Sequence, residues 1–315
     1  MILPKFLEPG DKAALVAPSS PEPTDRMEAV AASVRAFGLE PVIFPSCYGK
    51  RGYLAGSDRE RAKDLMDAFA DPDIKAVLCV RGGYGAHRLM EYLDWDAIAA
   101  SRKGLYGYSD ITALHLEMNR RGVASWHTPM PGEEWYKGLA PFVEENLRAA
   151  LFGPLPIRVV NPAGAPLTVL FSNPSAPSRS ARQAAGILCG GNLTLVTATL
   201  GTYYEIDTHK KVLFLEDVDE YPHRVDRMLL QLRNAGKFRD CAGVILGQFT
   251  HCDPPEGKPS LSLTEIFTDL LGDLGKPVVM GLECGHCSPS VCLPLGVYVL
   301  LDASTSQGTL GVLGV

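Results

Sequence analysis

Ser109 stands in the stretch Gly107-Tyr108-Ser109-Asp110-Ile111, between an apolar run at 104–108 and a segment at 110–121 in which Ile111, Leu114, His115 and Met118 recur at helical spacing. A serine at a strand-to-helix junction is exposed at the carboxyl edge of a sheet, beside the unpaired N–H groups that open the helix. Those features suit a nucleophile with a backbone oxyanion site. The segment carries only half of the G-x-S-x-G elbow, because Ile111 stands where the second glycine belongs. The competing reading is a helix cap.

Further residues could complete such chemistry. Arg81-Gly82-Gly83-Tyr84-Gly85 follows an apolar run, and its glycines permit close backbone approach. It lacks the ending of a phosphate loop and a full G-x-G-x-x-G. It reads as a tight strand–helix turn, or as a turn whose N–H faces Ser109, with Arg81 free to hold a substrate carboxylate. Glu216 follows four apolar residues and opens the acidic run Glu216-Asp217-Val218-Asp219-Glu220. A carboxylate at a strand terminus is the one expected to be partly buried, which suits orienting a histidine. His286 lies in a loop rich in Gly, Pro and Ser, where an exposed base could sit. His87, His115, His127, His209, His223 and His251 compete for that role; His87 and His115 fall within helices and are expected to pack, while His127 follows a strand and is a rival base or a substrate-shaping residue. Cys284 and Cys287 form a C-x-x-C around His286. A structural zinc would need two more ligands, from Cys292, Cys252 or His251, at spacing that suits it poorly, so no metal is expected.

The elements that must position these residues alternate in the first half. Strands are expected at 12–17, 41–45, 75–80, 104–108 and 123–126, with helices at 24–37, 58–70 (Asp58 as N-cap), after Gly85 through Tyr92, and at 110–121. That pattern predicts a parallel sheet covered on both faces, with functional loops at the carboxyl ends of its strands. Residues 152–180 turn rich in Pro, Gly, Ser and Asn, with weak strand-like runs at 157–160 and 167–171. The second half is richer in strands, at 186–189, 211–216, 243–248, 277–280 and 297–301, with one clear helix whose first turn holds Pro222, whose apolar face is Val225, Leu229 and Leu232, and which Gly236 ends. Domains are expected at 1–152 and 153–315.

Composition narrows the class. The 315 residues are 46% apolar, and 30 basic against 36 acidic residues leave a net charge of −6, which argues against nucleic acid or an anionic membrane as partner. No apolar run reaches the length of a bilayer span, and the N-terminus lacks the apolar core of a signal peptide. A cytoplasmic protein with its eight cysteines mostly reduced is the expectation.

Taken in order, Pro18-Ser19-Ser20-Pro21, Gly52-Tyr53-Leu54-Ala55-Gly56, Arg81-Gly82-Gly83-Tyr84-Gly85, Gly107-Tyr108-Ser109-Asp110, Gly190-Gly191-Asn192-Leu193, Phe214-Leu215-Glu216-Asp217 and Gly285-His286 with Leu293-Pro294-Leu295-Gly296 match a known set. Over about residues 3–300 the chain resembles the LD-carboxypeptidase (murein tetrapeptide carboxypeptidase) family of serine peptidases. The resemblance implies a triad of Ser109, Glu216 and His286, an oxyanion site from the N–H groups of Asp110 and Gly83, and substrate contacts from Arg81, Gly82, Tyr84 and His127. It implies a flavodoxin-like N-terminal domain, a smaller strand-rich α/β C-terminal domain, and a site in the cleft between them. The implied substrate is a cytoplasmic murein tetrapeptide losing its terminal D-alanine in peptidoglycan recycling, with no cofactor and with a homodimer as the assembly. Cys287, Ser290 and the His127-Thr128-Pro129 sequence depart from the family pattern, and put the loop shape near His286 and the substrate fit in question. Two alternatives remain: a microcin-immunity-type peptidase acting on peptidyl- or aminoacyl-nucleotides, with Trp126 or Trp135 as a platform for the base, and a two-domain ligand-binding protein without turnover.

Overall fold

Short apolar runs alternating with amphipathic segments build the first of two units in a computed structural model, which describes residues 1–156, 158–162, 165–171, 182–254 and 256–314. The units are Met1–Leu155 with Cys292–Gly296, and Pro156–Val291 with Val297–Val315. In the first, β1 (Lys12–Val16), β2 (Glu40–Ile43), β3 (Ile74–Cys79), β4 (Gly104–Gly107) and β5 (Ser125–His127) run parallel in the order β5-β4-β3-β1-β2. A sixth strand, Leu293–Leu295 (β12 in chain order), joins antiparallel to β5. The strand order reverses between β1 and β3, and such a switch point opens a crevice at the carboxyl ends of the strands. The runs are apolar on both faces because helices cover the sheet. Leu15, Leu78 and Trp126 pack with Val30 and Val34 of a helix in one buried cluster. Burying each such side chain contributes ~1.5–3 kcal/mol.

The helices of this unit are α1 (Met27–Ala36), α2 (Asp58–Ala70), α3 (Trp95–Ser101), α4 (Thr112–Arg120) and α5 (Pro141–Phe152). Ser57, not Asp58, caps α2: its hydroxyl accepts from the Glu60 amide, and Glu60 accepts in return from the Ser57 amide. Asp58 is thereby free to bind Arg61 and Arg88. The segment Ala86–Tyr92 is a 3-10 helix rather than an α-helix. Before α4, a 3-10 turn spans Ser109–Ile111. The predicted apolar face of Ile111, Leu114, His115 and Met118 is buried. His115 belongs there because both ring nitrogens are bonded, Nδ1 to Ser125 Oγ at 2.9 Å and Nε2 to Gly107 O at 2.8 Å.

The second unit is a closed sheet. Its strands are β6 (Arg158–Val159), β7 (Leu167–Phe171), β8 (Gln183–Asn192), β9 (Val212–Val218), β10 (Gly243–Thr250), β11 (Val278–Met280), β13 (Tyr298–Asp302) and β14 (Gln307–Gly314). They follow the order β13-β8-β9-β10-β11-β7-β14-β6, and a further pairing of β13 with β14 closes a barrel, with the two-residue β6 added outside the closure on β14. Strands β8 to β11 run parallel. Helices α6 (Leu193–Ala198), α7 (Pro222–Asn234), α8 (Lys237–Asp240) and α9 (Leu263–Leu271) belong to this unit. Ile157, where the first weak strand run was expected to begin, lies outside the described residues, as do the residues from 172 to 181. Among the described residues no helix is long and apolar enough to cross a membrane.

Burial drives the His115 pKa down to about 3. The unfolded chain takes up that proton near pH ~6.5, so the contribution of His115 to stability is complete above that pH and is lost as pH falls toward the folded value. The urea midpoint is expected to drop between about pH 7 and pH 4.5, and less steeply in His115→Gln. Equal slopes in the two proteins would contradict this assignment.

Candidate active site

Ser109 is held at φ +63°, a left-handed conformation that a residue with a side chain adopts only under constraint. The strain costs ~1–3 kcal/mol and projects the hydroxyl from a sharp turn between β4 and α4. The turn is braced from below and beside. Gly107 O accepts from the Thr128 amide and from His115 Nε2. Tyr108 donates its hydroxyl to Glu134 Oε1 at 2.6 Å, and Glu134 Oε2 accepts from the Met130 amide at 2.7 Å, which ties the 128–134 loop to the turn. Burial pushes the Glu134 carboxyl above its ordinary range.

Asp110 locks this turn to its neighbours. Its carboxylate, almost wholly buried, accepts from Ser19 Oγ at 2.5 Å and from the Ala86 amide at 2.7 Å. It thus joins the loops after β1, β3 and β4; burial raises its pKa, and the Ser19 and Ala86 bonds oppose that shift. The Gly82 backbone lies against the serine: a Cβ there would sit 3.0 Å from Ser109 Cβ and 3.2 Å from Ser109 Oγ. Gly83, at φ +101°, follows, and a side chain at that position would overlap Ser20. Ser20 in turn donates its amide to Gly82 O and accepts from the Tyr84 amide. Glycine is therefore required at position 83, and a side chain at position 82 would crowd the hydroxyl.

The remaining first-unit candidates divide. Arg81 is already engaged, donating to Glu133 at 3.0 Å and to Pro21 O at 3.2 Å, with the buried Glu22 carboxylate 3.8 Å away. Tyr84 is exposed beside Tyr53. His127 is buried at the end of β5, its ring 5.5 Å from that of Tyr108. Trp126 and Trp135, named above as platforms for a nucleobase, are both core residues: Trp126 stacks on Tyr106 at 5.0 Å, and Trp135 packs on Phe37 and donates to Pro129 O. Neither offers a face to a ligand.

In the second unit Glu216 does not end its strand. β9 continues to Val218, and Glu216 and Asp217 are buried on alternate sides of it. The Glu216 side chain is fully enclosed, and its Oε2 accepts from His286 Nδ1 at 2.8 Å and from the His286 amide at 3.3 Å. Because the carboxylate accepts, Nδ1 carries the proton and Nε2 is left as the basic nitrogen. The imidazole keeps 17% of its surface exposed. Gly285, at φ +113°, makes this approach possible, since a Cβ there would overlap Glu216 Oε2.

Asp217 has a structural task that its sequence position did not reveal. It accepts from Asn192 Nδ2, the Thr194 amide, Thr194 Oγ1 and the Val218 amide, each at 2.9 Å. These bonds fasten the start of α6 to β9 beside Glu216, and Asn192 is the register partner of Glu216. Burial, opposed by these bonds, pushes the Asp217 carboxyl up to about 6. The signal was the Gly190-Gly191-Asn192-Leu193 motif, to which no role had been given. Cys284 is buried and donates to Val291 O, and Cys287 donates to Pro289 O. Burial pushes the Cys287 thiol up to about 12, away from the thiolate a metal or redox site needs. Among the described residues no cluster of His, Cys, Asp or Glu could hold a metal ion. His209, His223 and His251 are exposed, and His251 pairs with Asp219.

The comparisons with known proteins follow the same two halves. Residues 13–128 match the LD-carboxypeptidase N-terminal domain, and residues 185–301 match the LD-carboxypeptidase C-terminal domain. The chain is 36% identical to the "Probable murein peptide carboxypeptidase" of Bacillus subtilis over 98% of its own length and 96% of the relative's. It is 31% identical to the murein tetrapeptide carboxypeptidase of Pseudomonas aeruginosa, over 93% and 94% of the two chains. The crystal structure of muramoyltetrapeptide carboxypeptidase from Oxalobacter formigenes superposes with a TM-score of 0.80 at 28% identity, covering 96% and 98%. MccF in complex with glutamyl sulfamoyl guanosine shares the fold, with a TM-score of 0.83 at 22% identity over 99% and 98%. The fold and these matches define a two-unit α/β peptidase. The chain belongs to the LD-carboxypeptidase family.

In its neutral form, His286 is expected to show by long-range proton–nitrogen NMR a proton on Nδ1 and none on Nε2. Gly285→Ala should abolish that signature by displacing Glu216. A proton on Nε2 in the unaltered protein would contradict the geometry.

Proposed function

We propose that this protein is a serine LD-carboxypeptidase that releases the terminal D-alanine of murein tetrapeptide in the cytoplasm, during peptidoglycan recycling. The observation that carries the reading is Ser109 itself, strained at φ +63° on a strand–helix turn with a glycine backbone against its hydroxyl. The buried Glu216–His286 bond supports it by supplying a base of the right tautomer. The names of the murein-peptide relatives at 31% and 36% identity support the substrate.

In the proposed reaction His286 Nε2 takes the Ser109 proton as Oγ attacks the carbonyl of an L-residue joined to terminal D-alanine. The amides of Asp110 and Gly83 receive the oxyanion, each contributing roughly 3 kcal/mol. Collapse of the tetrahedral intermediate breaks the C–N bond, and the imidazolium gives its proton to the leaving D-alanine amine. Water, deprotonated by the same nitrogen, then cleaves the acyl-enzyme and restores Ser109. Glu216 holds the imidazole and stabilises its charged form throughout. The terminal carboxylate is assigned to Arg81, exchanging with Glu133, while Gly82, Tyr84 and His127 shape the surrounding pocket. A homodimer completes the proposal.

Ser109→Ala is expected to lower kcat for D-alanine release by at least about 10⁴-fold with binding retained. Near-normal turnover, followed by mass spectrometry of free D-alanine, would refute the nucleophile. Arg81→Ala should raise KM for the tetrapeptide far more than for its C-terminal ester. Equal changes for both substrates would remove Arg81 from carboxylate recognition.

A further inference from the structure

One charged cluster in the first unit holds more than the chemistry above requires. Glu22 lies in the loop after β1, and its side chain is fully enclosed. Its Oε1 accepts from Arg26 Nη1 at 3.1 Å. Its Oε2 accepts no hydrogen bond among the described residues, and Arg81 Nη1 stands 3.8 Å from it. Burial pushes the Glu22 carboxyl up, and the Arg81 and Arg26 charges pull it back down. A carboxylate withdrawn from water is retained only against nearby cations, and apolar side chains fill such space without that penalty.

Arg81 is held from two sides and used incompletely. Its Nη1 donates to Pro21 O at 3.2 Å, on the side of the enclosed Glu22. Its Nη2 pairs with Glu133 Oε1 at 3.0 Å. The adjacent Nε–H is enclosed and makes no hydrogen bond among the described residues. Nε and Nη2 form one edge of a guanidinium, and such an edge grips a carboxylate through both oxygens. Glu133 leaves half of that edge unbonded. The ion pair sits where the loops after β3 and β5 meet beside the nucleophile turn. A Cβ at Gly82, the residue after Arg81, would lie 3.2 Å from Ser109 Oγ and 3.5 Å from Met130 Cε. Gly132, the residue before Glu133, donates its amide to Val80 O at 2.7 Å, and a Cβ on it would lie 2.7 Å from Glu22 Oε2. The backbone around the pair is thus pinned. The Glu133 side chain keeps 29% of its surface exposed and the Arg81 side chain 27%, so a ligand from solvent can reach both.

We infer that Glu133 occupies the carboxylate-binding edge of Arg81 in the resting protein, that the substrate's terminal carboxylate displaces it by bonding Nε and Nη2 together, and that Glu22 keeps the guanidinium in place during the exchange. The inference rests on the peptidase reading above and adds to it the residues that decide which chain ends are accepted. A free carboxylate replaces one contact by two charge-assisted bonds. An ester, an amide or a continuing chain brings no charge to that point and leaves Glu133 on Arg81, which restricts cleavage to the last residue. Glu22 is a positioning residue, since it acts through Arg81 and not on the substrate.

The test is calorimetric titration of Ser109→Ala protein with murein tetrapeptide and with its C-terminal amide. Adding Glu133→Gln is expected to tighten the tetrapeptide about fourfold, the gain from releasing a partly exposed ion pair, and to leave the amide as before. Adding Glu22→Gln instead should weaken the tetrapeptide about tenfold and leave the amide unchanged, a split that general damage to the fold would not produce. An unchanged tetrapeptide affinity in Glu133→Gln, an equal shift for both ligands, or no binding of the tetrapeptide at all would overturn the exchange. Should Glu22→Gln fail to fold, the partly exposed Glu133→Gln decides the matter alone. If the protein with Ser109 intact releases no D-alanine but the carboxylate-specific gain persists, the peptidase reading falls and the exchange stands. Released D-alanine without that gain is the reverse result.

Discussion

A carboxylate with no surface exposed to solvent sits in the middle of a barrel strand, and the second unit is arranged around that fact. Burying Glu216 is costly unless donors reach it. His286 supplies both its ring Nδ1–H and its backbone N–H to the same oxygen. For the loop to come that close, position 285 must be glycine; on the adjacent strand a Cβ at Gly247 would overlap Cys284 O at 2.6 Å and Phe214 at 2.8 Å and crowd Glu216 Cβ at 3.0 Å. The acid's location thus dictates the glycine at 285 and the imidazole tautomer. Substituting the histidine would do more than remove a base; it would take the ring N–H from a buried carboxylate and leave it the backbone N–H.

The first unit is organised around a different cost. Ser109 occupies a backbone conformation that it would not choose, and the surrounding bonds compensate. Asp110 draws the loops after β1 and β3 onto the turn, and His115 supports its floor from within α4. Both are buried polar groups with named partners, and both adjoin the proposed nucleophile in sequence or in space. The strain is therefore carried by rigid elements, as preorganised chemistry requires.

Much of this was legible in the chain. The parallel half announced itself because strands buried on both faces read as short apolar runs, and Ser109 fell at a junction that the helical spacing of Ile111, Leu114 and Met118 defined. The second half was harder. Asp217 made β9 appear to end at Glu216, because a charged residue inside a strand is tolerated only with partners, and Asn192 and Thr194 lie far away in sequence. Strand β14 hid in the glycine-rich run Gln307–Gly314, and β12 is only Leu293–Leu295, a three-residue strand completed by pairing with β5. Trp126 and Trp135 looked available because an indole's burial depends on tertiary packing, which spacing does not encode.

The proposal on which the function rests is that Ser109 is activated by the imidazole that Glu216 orients. Covalent labelling by a fluorophosphonate, located by peptide mass spectrometry, measures that activation without assuming a substrate. The account predicts a single adduct on Ser109, formed rapidly in the unaltered protein and slower by at least about 10²-fold in His286→Ala. An adduct on another residue, or equal labelling rates with and without His286, would contradict it.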